Sequence, residues 1–474
     1  MKNTKDKLKG FIAGVLAMAI VMAAGTAIAS TQRNISVMFR DIRIVVDGQE
    51  ITPRDVQGNI VEPFIFEGST FLPVRAVSEA LGYAVSWDDA TSTVYIGFRP
   101  PPQPHPTGDR PVVRIGLFQP ATGMNAVGGR QEALGTWFAW ETQPYVEIGG
   151  VMHDVEIIPV DNQSHTAVGP TAAAFLVAEG AHIVLGSYGS AVSMASSDVF
   201  RDAGLTAIGM SCTFPGVTRG NDHYFRICFL DPFQGQILAN FAWDHLGART
   251  AYVLALLGSD YSMGLSSYFI DAFTALGGEY IFETYPLGTS DFSTFMYNAR
   301  ALGADVMFVP SSIEAGILII DAAVVQNTGI PLLAGDPWDS NFILNAAHGT
   351  NVTIYITTFY EEGGNPDWDR RFRQWLNDNP RRMADNGGND MIASVSALGY
   401  DAYWVVLDIL RRAGSLDQDA IRAATWATSY TAPVLGLVEF DEHGDAIRDS
   451  AIVKTVVTDD QGPGWRFVTN QRLG

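Results

Sequence analysis

The chain has 474 residues, room for about three domains, and its apolar content of 47%, with 47 Gly and 23 Pro, is that of a folded protein rather than a low-complexity chain. Its formal net charge of −21 weighs against binding to nucleic acid or anionic lipid, whose phosphates it would repel. With only two cysteines, Cys212 and Cys228, thiolate zinc clusters and disulfide scaffolds are excluded.

Lys2, Lys5, Lys7 and Lys9 precede an apolar run from Phe11 to Ala29 that closes on the small-x-small site Ala27-Ile28-Ala29. This predicts a secretory signal over residues 1–29, cleaved after Ala29. About 19 apolar residues also suffice to span a bilayer, so retention as a membrane anchor stays open. Either way the remainder is expected to be exported, extracellular or at the cell surface. No cysteine stands before position 212, so no N-terminal lipidated cysteine is expected.

Residues 30–98 read as a small α+β unit. Alternating runs flank Asp47-Gly48 and Glu67-Gly68, the signature of hairpins. Val74, Val77 and Leu81 then recur at helical spacing, with Gly82 as a stop. The strings VDGQEI, EPFIFEGSTFLPVRAVSEALG and VSWDDATSTVYIG together resemble the copper amine oxidase N-terminal-like stalk domain. The resemblance implies a spacer, with contact to the cell wall as one role. It implies no oxidase activity, since the segment holds no histidine to ligate copper. Six prolines between Arg99 and Pro111 predict an extended linker over 99–111, reaching about 35 Å if it is polyproline II throughout.

From Val112 onward, short β-type runs alternate with longer amphipathic stretches, which predicts parallel sheets with helices on both faces. So long a region exceeds one core, so two lobes are expected, with a ligand site at the carboxyl ends of the strands. The ordered segments RIGLFQPATGMNAVGG, VDNQSHTAVGPTAA, IVLGSYGSAVSMASSDVF, FRICFLDPFQG, DFSTFMYNARALGADVMFV, LLAGDPWDS, LGYDAYWVVLDILRRAG and VEFDEHGD resemble the branched-chain amino acid (Leu/Ile/Val-type) substrate-binding proteins of ABC importers. That resemblance implies an α/β chain of two Rossmann-like lobes joined by a hinge, the type I periplasmic-binding-protein fold, over 112–474. Lobe 1 is expected at about 112–231 and 359–437, lobe 2 at about 232–358 and 438–474. It further implies an amino-acid ligand and partnership with an ABC permease and ATPase, and no cofactor or metal.

An amino acid needs anion donors and a cation acceptor close together, and the resemblance assigns them. Ser190 opens a helix whose N-terminal N–H groups attract the carboxylate, its alternative role being a plain N-cap. Thr213 would contact both ends of the ligand, and Ser211 would offer its carbonyl to the ammonium; both could instead form an ordinary turn. Asp336 would take the ammonium or cap the following helix. Tyr261 would face the ligand from the second lobe or pack elsewhere. Gly128 and Ser312 stand where relatives place aromatics, with Tyr188 and Trp338 as candidates to refill the pocket. Cys212 and Cys228 are read either as a disulfide, which export permits, or as two buried thiols.

An enzyme finds little support. The eight histidines are scattered without metal-ligand spacing, and no Gly-x-Ser-x-Gly elbow or phosphate loop occurs. A ligand sensor or a structural surface protein on the same fold is the alternative function.

Overall fold

The computed structural model describes residues 35–46, 49–55, 59–80, 85–88, 93–96, 110–459 and 462–472. The expected signal segment and most of the proline-rich linker lie outside them. The chain divides into two units, residues 1–96 and 97–474.

In the first unit, β1 (Ile44–Val46) pairs with β2 (Gln49–Ile51), β3 (Phe64–Phe66) with β4 (Ser69–Phe71), and β5 (Val85–Asp88) with β6 (Thr93–Ile96), all antiparallel. Helix α1 (Val74–Ala80) follows β4. The β3–β4 turn is Glu67-Gly68, with φ of 49° and 79°, the left-handed pair that a two-residue hairpin demands. The Asp47-Gly48 turn and Gly82 lie outside the described residues.

The second unit begins with β7 (Val112–Gln119), whose side chains are almost continuously buried, as a central parallel strand requires. After it come α2 (Ala126–Thr142), β8 (Tyr145–Ile148), β9 (Val151–Asp161), α3 (Gly169–Ala178), β10 (Ile183–Gly186), α4 (Ser190–Asp202), β11 (Ala207–Gly209) and β12 (Tyr224–Arg226). They form a six-stranded sheet in the order β12-β11-β10-β7-β9-β8, parallel except for β8. Its five parallel strands run 2-1-3-4-5 in chain order, so the order reverses between β7 and β10.

The chain then builds a second sheet of the same design. Its elements are α5 (Asp231–Asn240), β13 (Thr250–Leu256), α6 (Asp260–Ala275), β14 (Glu279–Tyr285), α7 (Ser293–Ala301), β15 (Val306–Phe308), α8 (Ile313–Val325), β16 (Leu332–Ala334), α9 (Asn341–Ala347) and β17 (Ile354–Thr358). The parallel strands again run 2-1-3-4-5, reversing between β13 and β15. Helices α10 (Pro366–Asn377), α11 (Pro380–Asp385), α12 (Ser394–Ala413) and α13 (Gln418–Trp426) return to the first lobe, followed by the hairpin β18 (Ser429–Ala432) and β19 (Gly436–Glu439). Strands β20 (Ser450–Asp459) and β21 (Gly462–Arg472) finish the second sheet antiparallel beside β17.

Each sheet is covered on both faces. In lobe 1, α2 and α10–α13 bury one face, where Trp137, Phe138, Phe372 and Tyr403 meet, and α3 and α4 bury the other around Phe118 and Phe200. In lobe 2, α7–α9 lie over one face and α5–α6 over the other. Helices α2 and α12 cross with almost no gap: a Cβ on Gly135 would strike the Ser396 carbonyl, and one on Gly399 would strike that of Glu132. The third crossing falls later than the expected position 438. Val438 belongs to the lobe-1 core, and Asp445, bonded to the buried Arg226, holds the chain against β12 until after that point.

Candidate ligand-binding cleft

Ligands in open α/β sheets bind beyond the carboxyl ends of the strands, where strand order reverses. This molecule has two such points, and one cavity of about 290 Å³ meets both. From lobe 1 it is lined by Met124 and Asn125, after β7, and by residues 188–192, after β10. From lobe 2 come Leu256–Ser259, after β13, and Ser311 and Ser312, after β15. A cavity of similar size beside α2 lies within lobe 1 alone; the interlobe one is the candidate site because both switch points open into it.

Gly189, with φ of 107°, occupies the N-cap of α4, so Ser190 is the first helical residue and not the cap. Its Oγ accepts from the Phe214 backbone N–H at 3.2 Å, which leaves the Ser190 O–H to donate. Ala191 and Val192 also line the cavity, so the first turn of α4, whose N–H groups lack helical partners, faces it. Tyr188 lines it too, fixed by its backbone N–H, which donates to Gln119 Oε1 at 2.8 Å. The Tyr188 ring end occupies the space a Cβ on Gly128 would need, so Gly128 is the residue that admits it. Gly128 is therefore behind the wall, and Tyr188 is the aromatic that faces the cavity.

Ser211 reaches the lining, and its buried Oγ lies near Glu132 but makes no hydrogen bond of good geometry among the described residues. Thr213 does not reach it. That residue is 1% exposed, and its carbonyl accepts from the Asp231 backbone N–H at 3.0 Å. The loop is held from below by Arg226, which is fully buried and donates to the carbonyls of Cys212 and Phe214, both at 2.6 Å, while its Nε meets Asp445 at 2.5 Å.

Across the cleft, Ser259 caps α6 by accepting from Ser262 N–H, which brings Tyr261 to the lining. The Tyr261 hydroxyl fills the space beside Gly335 where a Cβ would sit, and it is buried without a partner among the described residues. The neighbouring Asp336 lines the cavity and is 1% exposed. Gln234 grips it twice: Gln234 Nε2 donates to Asp336 Oδ1 at 3.0 Å, and Gln234 Oε1 accepts from the Asp336 N–H at 2.8 Å. Asp336 does not cap a regular helix through its side chain; it starts a short 3₁₀ turn. Ser312 lines the cavity while capping α8. Trp338 does not refill the pocket. It is wholly buried in the lobe-2 core against Gly316, with Nε1 donating to Ser311 Oγ at 3.1 Å.

The electrostatics are one-sided. Burial, reinforced by the nearby charges of Asp231 and Glu132, pushes the Asp336 carboxyl well above the usual carboxylate range. Burial also raises Asp231 to about 7 and Glu132 to about 8. Asp231 lies near the Thr213 hydroxyl and the Gln234 amide, yet neither of its oxygens makes a hydrogen bond of good geometry among the described residues. Glu132 sits beneath the floor, bonded at 2.5 Å to Gln119. No lysine or arginine is among the lining residues.

Glu132, Arg226, Asp231 and Gln234 escape the sequence reading. Arg226, Asp231 and Gln234 lie in the segment FRICFLDPFQG, but only their burial, invisible in sequence, marks them. Cys212 and Cys228 are both free and buried, which removes the disulfide option. They belong to different layers: Cys212 packs with α3 and α4, Cys228 with α2 and α12 on the opposite face of the sheet. Burial raises the Cys212 thiol to about 11.

The family model described as "Periplasmic binding protein" matches residues 112–462. The chain belongs to this family. Residues 23–97 match the "Copper amine oxidase N-terminal domain". Among curated proteins, the Leu/Ile/Val-binding protein homolog 1 of Brucella abortus is 27% identical over 338 residues, covering 70% of this chain and 87% of that protein. Among solved structures, the leucine-binding protein LivK of Thermotoga maritima superposes with a TM-score of 0.67 at 28% identity, over 76% of this chain and 99% of that one. The branched-chain amino acid transporter substrate-binding protein LivJ of Streptococcus pneumoniae, solved with isoleucine, gives 0.65 at 20% identity over 76% and 99%. The two-lobed α/β fold is thus the type I periplasmic-binding fold, and these relatives are binding proteins.

Proposed function

We propose that this chain is an exported binding protein that captures a free amino acid between its lobes and delivers it to an ABC permease and its ATPase. The single observation that carries the reading is the pairing of opposite chemistries across one cavity. One jaw offers an uncommitted Ser190 O–H and the first turn of α4. The other offers the buried Asp336, with no lysine or arginine among the lining residues to neutralise it. A zwitterion complements both at once: its carboxylate takes the α4 donors, and its ammonium takes Asp336 and holds it ionised. Ser211 and Tyr261, whose buried hydroxyls make no hydrogen bond of good geometry among the described residues, supply two more polar partners.

The same polar lining bears on the side chain. Asn125, Ser164, His165 and Thr166 stand with Met124, Leu257 and Leu287, a mixed surface that suits an amino acid with a polar group beyond its α-carbon. Binding by both jaws also couples capture to closure, since each lobe alone holds half of the partners. A thermal-shift panel of the common L-amino acids tests the reading. At least one should raise the melting temperature, through a stabilisation of RT ln(1 + [L]/Kd), about 2.7 kcal/mol at a hundredfold excess over Kd. If no amino acid moves the transition at about 10 mM, a concentration that saturates even weak sites, the reading fails.

A further inference from the structure

A second cavity, of about 250 Å³, lies in lobe 1 apart from the cleft. Its walls come from the carboxyl ends of β7 and β9, from α2, and from α10 and α11, and they are apolar: Leu117, Leu134, Trp137 and Val160 line the interior. Its mouth is different. Three guanidiniums line it, those of Arg130, Arg381 and Arg382, and the one acidic lining residue is Asp385. In a chain with a net charge of −21, such a concentration of arginine at one opening stands against the overall balance.

The donors of Arg130 are only partly used. Arg130 faces Asp385 at 3.4 Å through Nε and donates to the Ala121 carbonyl at 2.9 Å through Nη1; its charge also acts on Glu314, and its Nη2 makes no hydrogen bond among the described residues. Arg382 lies flat over the Trp375 ring, 3.9 Å from its centroid, and pairs with Glu141 at 2.6 Å. The Arg130 side chain is 29% exposed, so it stands at the rim rather than in the core. An apolar interior with a few convergent polar groups at its edge is the usual make-up of a small-molecule site.

We propose that this cavity is a second ligand site, for a small monocarboxylic acid with an apolar body. The body fills the space between Leu117, Leu134 and Trp137, and the carboxylate takes the Nη2 donors of Arg130. An amine of the same shape would offer Arg130 no acceptor, and an alcohol would forgo the charge-assisted bond. The proposal is independent of what the cleft binds, because the residues that define it belong to lobe 1 alone.

Octanoate serves as the probe, titrated calorimetrically into the full chain with octan-1-ol and octylamine as controls. The expected result is saturable one-to-one binding of octanoate, tighter than either control. Arg130→Gln should weaken it about tenfold or more through the lost charge-assisted bond, and Ala133→Phe, which fills the cavity, should abolish it. Should Ala133→Phe fail to fold, Arg130→Gln alone carries the test. Absence of saturable binding up to about 10 mM overturns the proposal, and so does octanoate affinity unchanged in Arg130→Gln or matched by octylamine.

Discussion

Asp336 shows how much one buried group can decide. It is 1% exposed, Gln234 satisfies one oxygen, and the titratable groups that act on it, Asp231 and Glu132, are acids like itself. Its surroundings therefore favour the neutral form, and an ammonium beside it would reverse this. Asp336→Asn, which keeps the shape and removes the charge, is expected to weaken the panel's best amino acid by about 1.5–3 kcal/mol, roughly tenfold to a hundredfold, measured by calorimetry. Unchanged affinity would remove Asp336 from the site.

The same burial sets a pH dependence in the ligand-free protein. Glu132, raised to about 8, and Asp231 and Asp401, each raised to about 7, keep their protons in the fold at a pH where the unfolded chain has released them. The native state then binds more protons than the unfolded one, so stability falls as pH rises. The fall begins in the ordinary carboxylate range and is complete only above about pH 8. Calorimetric melting temperatures without ligand should therefore be lower at pH 8 than at pH 5.5. A melting temperature that climbs over this window would contradict the assignment of buried, protonated carboxyls.

Among elements, the 211–214 loop depends most on a partner distant in sequence. Arg226 fixes its carbonyls from the end of β12, and Asp445 anchors Arg226 from a segment more than two hundred residues later. Arg226→Met would leave Asp445 buried without its cation, at a cost of about 3–5 kcal/mol, read from a shift in the urea midpoint with unchanged slope. A loss below about 0.5 kcal/mol, typical of a surface change, would show that the network is not structural. This is also where sequence legibility ends. The strand and helix pattern of 112–474 is visible because apolar runs and turn residues are local signals, and Ser190 stands out because it follows a strand and a glycine. Arg226 and Glu132 are silent, because polar residues read as exposed until the fold buries them. Trp338 misleads in the opposite direction: its place beside Asp336 in sequence suggests the pocket, whereas the short 3₁₀ turn directs it into the core.

At the scale of the two-lobed unit, the parallel strands of both sheets run in the same order, and hydrogen bonds join the lobes. Ser340 Oγ donates to Gln131 Oε1 at 2.9 Å, and Asn341 Nδ2 donates to the carbonyls of Asn386 and Met391 at 2.6 and 3.0 Å. Such contacts exist only with the lobes together, so a ligand that spans both jaws adds to a closure the protein already favours locally. The doubled architecture was legible from the alternation of strands and helices. The lobe return near Asp445 was not, since it is set by one ion pair and not by any composition shift.

In the proposed complex both charged ends of one α-carbon are held at once, one by each jaw. The most direct test is calorimetry of the best amino acid beside its decarboxylated amine and its deaminated acid. Each analogue is expected to bind about tenfold to a hundredfold more weakly than the parent, because each leaves one jaw without its counter-charge. An analogue that binds as tightly as the amino acid would contradict the account.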